Sequence, residues 1–204
     1  LSNTVILKIY SACEWISGVA LLTLTWLLFT LMGLGVFGFM PATSALFSVS
    51  RNMILGDRDS GFKTFYAFYK EAFIPMNVIG ILLGFVLAAV GINFSILTYH
   101  INEIPMAMAI PFFMGLLLLL FFLAHLFPAY SHFKLRSKKV FQHVLALAIV
   151  HPLRSLAILA WSGSILLVSL LIPFLLPFFT MGLIAWGTNF IALKGYGQNK
   201  SAAD

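Results

Sequence analysis

Charge is what this 204-residue chain has least of: Asp, Glu, Lys and Arg together make up 9% of it, with six acidic residues against twelve basic ones. So few acids and bases, set among long apolar runs, supply almost none of the converging groups that a catalytic site needs. No H-E-x-x-H, phosphate-binding glycine loop, G-x-S-x-G or C-x-x-C occurs, so the common hydrolytic, nucleotide and redox signatures are missing. An enzyme is therefore not expected, no residue is assigned a catalytic or metal-binding role, and no cofactor is expected. The single cysteine, Cys13, excludes an internal disulfide and a multi-cysteine metal site; it reads as a small packing residue near an interface. A cleavable signal peptide is not expected, since no basic segment precedes a short apolar core and no A-x-A site follows.

Apolar residues are what the chain has in excess, at 61%, outside the range of soluble domains. Residues 15–50, 72–102, 104–133 and 155–193 contain no Asp, Glu, Lys or Arg, and each exceeds the roughly 20 residues a helix needs to cross a bilayer. Unbroken runs such as GLLLLLFFLAHL lack the alternation of a membrane barrel, so helices must carry the crossing. Residues 155–193 form a helix of about 58 Å, nearly twice the hydrocarbon thickness. They must hold two spans, divided near Pro173 and Pro177. The expected fold is an all-α transmembrane bundle forming one domain over residues 1–193. Its five spans lie near 16–38, 75–97, 106–127, 153–172 and 175–193, and a flexible tail covers 194–204.

Basic residues cluster between spans one and two (Arg51, Arg58, Lys63, Lys70), between spans three and four (Lys134, Arg136, Lys138, Lys139, Arg154) and after span five (Lys194, Lys200). With an external N-terminus all of these face the cytoplasm and only Lys8 does not, as the positive-inside rule asks. The net charge of +6 then reads as a face beside anionic lipid, and nucleic acid is not expected as a partner. Between spans one and two, FKTFYAFYKEAF (62–73) places Phe62, Phe65, Tyr66, Tyr69 and Phe73 on one helical face, as in an amphipathic helix at the cytoplasmic headgroups or capping the bundle. Ahead of it, GDRDSG (56–61) has turn chemistry, with Gly56 ending one helix and Asp59 or Ser60 capping the next.

Pro-Ala-x-Ser occurs twice, at Pro41, Ala42, Ser44 and at Pro128, Ala129, Ser131, each time after a span and before basic residues. That order suggests a parallel internal duplication, with chance recurrence as its rival. It also predicts two proline-bent helices extending into the cytoplasm, span one passing through a bend near Pro41 to about Gly56 and span three doing the same at Pro128.

The polar and aromatic residues at membrane depth are the candidate site. Glu14 and Trp15 open span one, where the indole anchors at the headgroups or the carboxylate lines an external opening. Trp26, Thr30, Pro41, Thr43 and Arg51 follow along the same stretch, and packing competes there with a polar pathway. His125 and His132 are seven residues apart, on one face of a helix that continues through Pro128, where they could form a ligand-binding or proton-sensitive pair.

The stretch YSACEWISGVALLTLTWLLFTLMGLGVFGFMPATSALFSVSR resembles the N-terminal signature of the YesL-like family of small bacterial membrane proteins. The matching residues are Glu14-Trp15, Trp26, Phe29-Thr30, Gly33, Phe37-Gly38, Pro41-Ala42-Thr43 and Arg51, followed by FKTFYAFYKEAF; the second half matches in character only. The resemblance implies a multi-pass protein of the bacterial plasma membrane in a family of unknown function whose members accompany carbohydrate-uptake and polysaccharide-degradation systems. It implies an accessory or regulatory role beside sugar-transporter subunits. A small transporter or channel is the alternative, and a membrane enzyme the remaining one.

Overall fold

The computed structural model describes the backbone of residues 3–57, 61–99, 106–133 and 137–200. Seven α-helices form it: α1 (Asn3–Met32), α2 (Val36–Ile54), α3 (Phe62–Tyr99), α4 (Met106–Phe133), α5 (Ser137–Val150), α6 (Pro152–Leu171) and α7 (Met181–Lys200). A π-helical turn, Leu176–Thr180, leads into α7. Five helical segments are long and apolar enough to cross a membrane: Val5–Met32, Phe62–Tyr99, Ile110–Phe133, Pro152–Leu171 and Leu176–Lys194. The expected all-α bundle with five such spans is therefore what the chain forms. Asp59, Ser60, Arg58, His100, Glu103, Lys134 and Arg136 lie outside the described residues.

The first span ends differently from expectation. The helix does not run to residue 38 and bend at Pro41; it stops at Met32, and the chain reverses over Gly33, Leu34 and Gly35. The reversal is a Schellman closure, in which the Leu34 amide donates to Leu31 O at 3.0 Å and the Gly35 amide to Thr30 O at 2.9 Å. Leu34 and Gly35 both take left-handed backbone, at φ 60° and 72°. Pro41 lies inside α2, past the turn. The usual sign of such a closure is a glycine at the first left-handed position, and a leucine holds it here. The far end of α2 is as expected: Gly56, at φ 80°, closes a second Schellman motif, its amide donating to Met53 O at 3.3 Å and the Asp57 amide to Asn52 O at 3.0 Å.

After the reversal α2 runs back antiparallel along α1. Trp26 meets Thr43, and Gly18 meets the end of Met53. A Cβ on Gly33 would strike the backbone of Gly38, and one on Gly38 the carbonyl of Thr30, so both positions must be glycine for the two helices to leave the turn this closely. α3 is antiparallel to α2 in turn: Met53 and Phe62 line one cavity of about 180 Å³, and Met40 lies against Gly80 near the opposite end. α2 touches α1, α3, α4 and α7, and residues 41–50 are all buried. A helix absent from the five apolar spans is thus the centre of the bundle.

Residues 62–73 and the second span are one continuous helix, α3, with Pro75 inside it. The aromatic face of 62–73 packs on α1, where the Phe29 ring lies 5.0–6.1 Å from those of Phe62, Phe65, Tyr66 and Tyr69. α4 continues through Pro128 to Phe133, as expected. Pro41 follows a reversal whereas Pro128 precedes the end of α4, so the two Pro-Ala-x-Ser motifs occupy unlike places and do not mark a duplicated element. The last apolar run breaks at 172–175 beside Pro173, as expected. α7 runs on as a helix to Lys200, beyond the expected boundary at 193.

Candidate functional site

Three of the expected residues come together where α1 and α2 cross. The Trp26 indole Nε1 donates to Thr43 Oγ1 at 3.0 Å, and the Thr43 hydroxyl donates to Phe39 O at 2.7 Å. The Thr30 hydroxyl donates to Trp26 O at 2.8 Å, and the Phe39 ring stands edge-on to Trp26 at 5.9 Å. Pro41 is buried one step away on α2. The Trp26–Thr43 bond joins the two helices, while the hydroxyl protons of Thr30 and Thr43 go back to carbonyls of their own helices.

The other expected residues stand apart from that junction. Arg51 is eight residues beyond Thr43, about 12 Å along α2. Glu14 is exposed, and the edge of Trp15 meets Trp186 at 5.3 Å. Trp186 stacks on Phe190 at 5.5 Å, beneath the Lys194 ammonium at 4.3 Å from the Phe190 ring centre. His125 is 1% exposed and His132 partly exposed, its ring edge on Phe133 at 4.7 Å. The two histidines are about 10 Å apart along α4.

A second set of polar groups ties α7 to the hairpin. The Gly182 amide donates to Thr23 Oγ1 at 3.1 Å, and that hydroxyl donates to Val19 O at 2.9 Å. Asn189 Nδ2 donates to Phe47 O at 2.8 Å, 142 residues away in sequence. The hydroxyls of Ser44, Ser50 and Thr188 are buried without a hydrogen-bond partner. Thr23, Gly182, Thr188 and Asn189 stand out in the sequence as polar or small residues in apolar runs, which marks them for contact without saying with what.

The residues that sequence reasoning left unconnected meet His125. Its Nε2 lies 3.0 Å from Ser155 Oγ in the first turn of α6, and the charges bearing on it are those of His151 and Arg154. His151 ends the α5–α6 connection, where burial first and the Arg154 charge second hold its imidazole below the usual histidine range. The i, i+3, i+4 spacing of His151, Arg154 and Ser155 is visible in the sequence; their meeting with His125, some thirty residues earlier, is not.

A bundle of apolar helices packed around a buried, hydroxyl-bearing helix, α2, is the architecture of a multi-pass membrane protein. The chain belongs to the YesL-like family, described as "Protein of unknown function, DUF624", which matches residues 19–94, from the middle of α1 through most of α3. It is 34% identical over 176 residues to the uncharacterized protein YteU of Bacillus subtilis (strain 168), covering 85% of this chain and 78% of that one. It is 29% identical over 202 residues to the uncharacterized protein YesV of the same organism, covering 98% and 97%. It is also 29% identical over 190 residues to the uncharacterized protein YesL, covering 90% and 87%. No solved structure matches the chain.

Proposed function

We propose that this protein is a non-enzymatic membrane component that assists or regulates carbohydrate uptake, acting beside sugar-transporter subunits. The family resemblance supplies the physiological setting. The observation that carries the reading is that the Trp26 indole donates to Thr43 across α1 and α2 while the Thr30 and Thr43 hydroxyls donate to their own helices, so these donors are engaged within the fold and not along a substrate path. Its test is purification of the tagged chain from native membranes in mild detergent. Recovery of transporter subunits supports the reading, and their consistent absence defeats it.

A small transporter or channel is the second reading, favoured by the buried hydroxyls of Ser44, Ser50 and Thr188 along α2 and α7. Flux of sugars or ions into liposomes above that of empty vesicles would support it.

We further infer that Arg51 and Lys63 face the cytoplasm, following the positive-inside rule. Since α2 is antiparallel to both neighbours, α1 and α3 run in the same sense, and the N-terminus then faces the cytoplasm too. This replaces the external N-terminus expected from five alternating spans. It also makes α2 a sixth crossing, its 19 residues reaching about 28 Å, near the hydrocarbon thickness.

A further inference from the structure

The cavity between α1, the end of α2 and the start of α3 has a volume of about 180 Å³. Packed interiors ordinarily interdigitate with few spaces larger than a water molecule, so the residues that keep this one open define a site. Two glycines stand on its wall. Gly18 lets the end of the Met53 side chain lie against α1, and a Cβ on Gly61 would meet nothing within 4 Å. Leu22 and Phe65, both buried, make an apolar floor. Thr25 is the one polar side chain on the described wall, and its hydroxyl donates to Leu21 O at 2.8 Å. No side chain there offers a polar guest a free proton, which a polar guest would need and an apolar one would not.

The mouth faces the apolar exterior. Leu21 and Phe62 stand at its edge, 66% and 57% exposed, and Leu24 and Leu28 continue the exposed face of α1 from Leu21. These leucines lie in the charge-free run 15–50, so in a membrane this face meets acyl chains. A helix with its side chains is about 10 Å across, too broad for the space, whereas a single hydrocarbon chain is slender enough to enter it. For comparison, a dry apolar cavity of about 150 Å³ takes benzene. Met53 supplies an unbranched wall that adjusts to a flexible guest.

We propose that this cavity binds the acyl chain of a membrane lipid, drawn in sideways between α1 and α3. Leu22, Met53 and Phe65 hold the chain, and Leu21 and Phe62 frame its entry. The site goes beyond the accessory reading and does not depend on it, since a lipid held at this seam serves a partnered or an independent protein alike.

The test uses the full chain in phosphatidylcholine nanodiscs, in which a rising fraction of the lipid carries a diazirine in one acyl chain. After photolysis, mass spectrometry maps the adducts. The exposed α3 residues Ile81, Leu82, Phe85 and Leu87 report bulk lipid. Labelling of Leu22, Met53 and Phe65 is expected to saturate, while labelling at the α3 residues rises in proportion to the probe. Leu21→Trp, at an exposed position, narrows the mouth. It should cut the saturable labelling about tenfold, as for the lost burial of about two methylenes, and leave the α3 residues unchanged. Should that variant fail to fold, Leu21→Phe carries the comparison. Proportional labelling at both places overturns the proposal, as does labelling unaltered in the Leu21 variant that folds. Discs holding two chains instead of one give a further arm. Unchanged labelling there supports a lipid guest, and its loss assigns the space to a second copy and overturns the proposal.

Discussion

At the scale of single residues, the hydrogen bond from Trp26 to Thr43 gives a structural role to a tryptophan set well inside the first apolar run. The two ends of that bond are not equivalent under mutation. Trp26→Phe removes the donor but leaves the Thr43 hydroxyl its bond to Phe39 O, so a loss of about 1 kcal/mol is expected. Thr43→Val strands the indole N–H against apolar neighbours and should cost more, about 1–3 kcal/mol. Thermal unfolding in one detergent, comparing both variants with the parent, checks the order. His151 makes a second prediction, through pH. Its folded-state value is below the unfolded one, so the unfolded chain binds more protons as the solution is acidified. Its contribution is intact above the ordinary histidine value near 6.5 and declines as pH falls below it. His151→Gln should flatten that decline in a pH series of unfolding midpoints.

Among the elements, the turn at 33–35 offers the sharpest contrast. Leu34 is 85% exposed and sits at φ 60°, a conformation that costs a branched residue about 1–2 kcal/mol relative to glycine. Leu34→Gly should therefore be neutral or stabilising by up to about 1 kcal/mol, the gain being trimmed by the added freedom of the unfolded chain. Gly33→Ala, one residue away, drives a Cβ into Gly38 and should disrupt the hairpin. Circular dichroism melts of the two variants separate these outcomes, and equal damage from both would refute the assignment of the turn. The same element shows what was legible in the sequence. Span number, the break near Pro173, the passage of α4 through Pro128 and the end of α2 at Gly56 follow from hydropathy and from glycine or proline chemistry. The reversal at Leu34 was hidden because its residue type is the wrong one for its backbone, and the eye goes to Pro41 instead. The candidate site was legible by residue type, in Trp26, Thr30, Thr43 and His125. Its connections were not, because Thr43 is reached only after a reversal and Ser155 only by folding α6 against α4.

For the whole molecule, the shared sense of α1 and α3 puts their N-terminal ends on one side of the bundle, which makes the proposed orientation testable. With Cys13 replaced by Ser, a Lys8→Cys variant should resist a membrane-impermeant maleimide in intact cells and react in inverted vesicles. Labelling from outside would restore the external N-terminus and require the basic stretch after α2 to lie elsewhere. The burial of α2 also bears on the order of synthesis. Phe47 waits for Asn189, which leaves the ribosome 142 residues later; at usual elongation rates that is roughly 7–30 s. During that interval the serine-bearing strip of α2 is already made while its α7 neighbour does not yet exist. α1, already synthesised and joined by a three-residue turn, shelters one side of it first, and α3 and α4 reach it before α7 is made. The hairpin is thus a device of order, giving the serine-bearing helix its first partner before the bundle that will enclose it has been made.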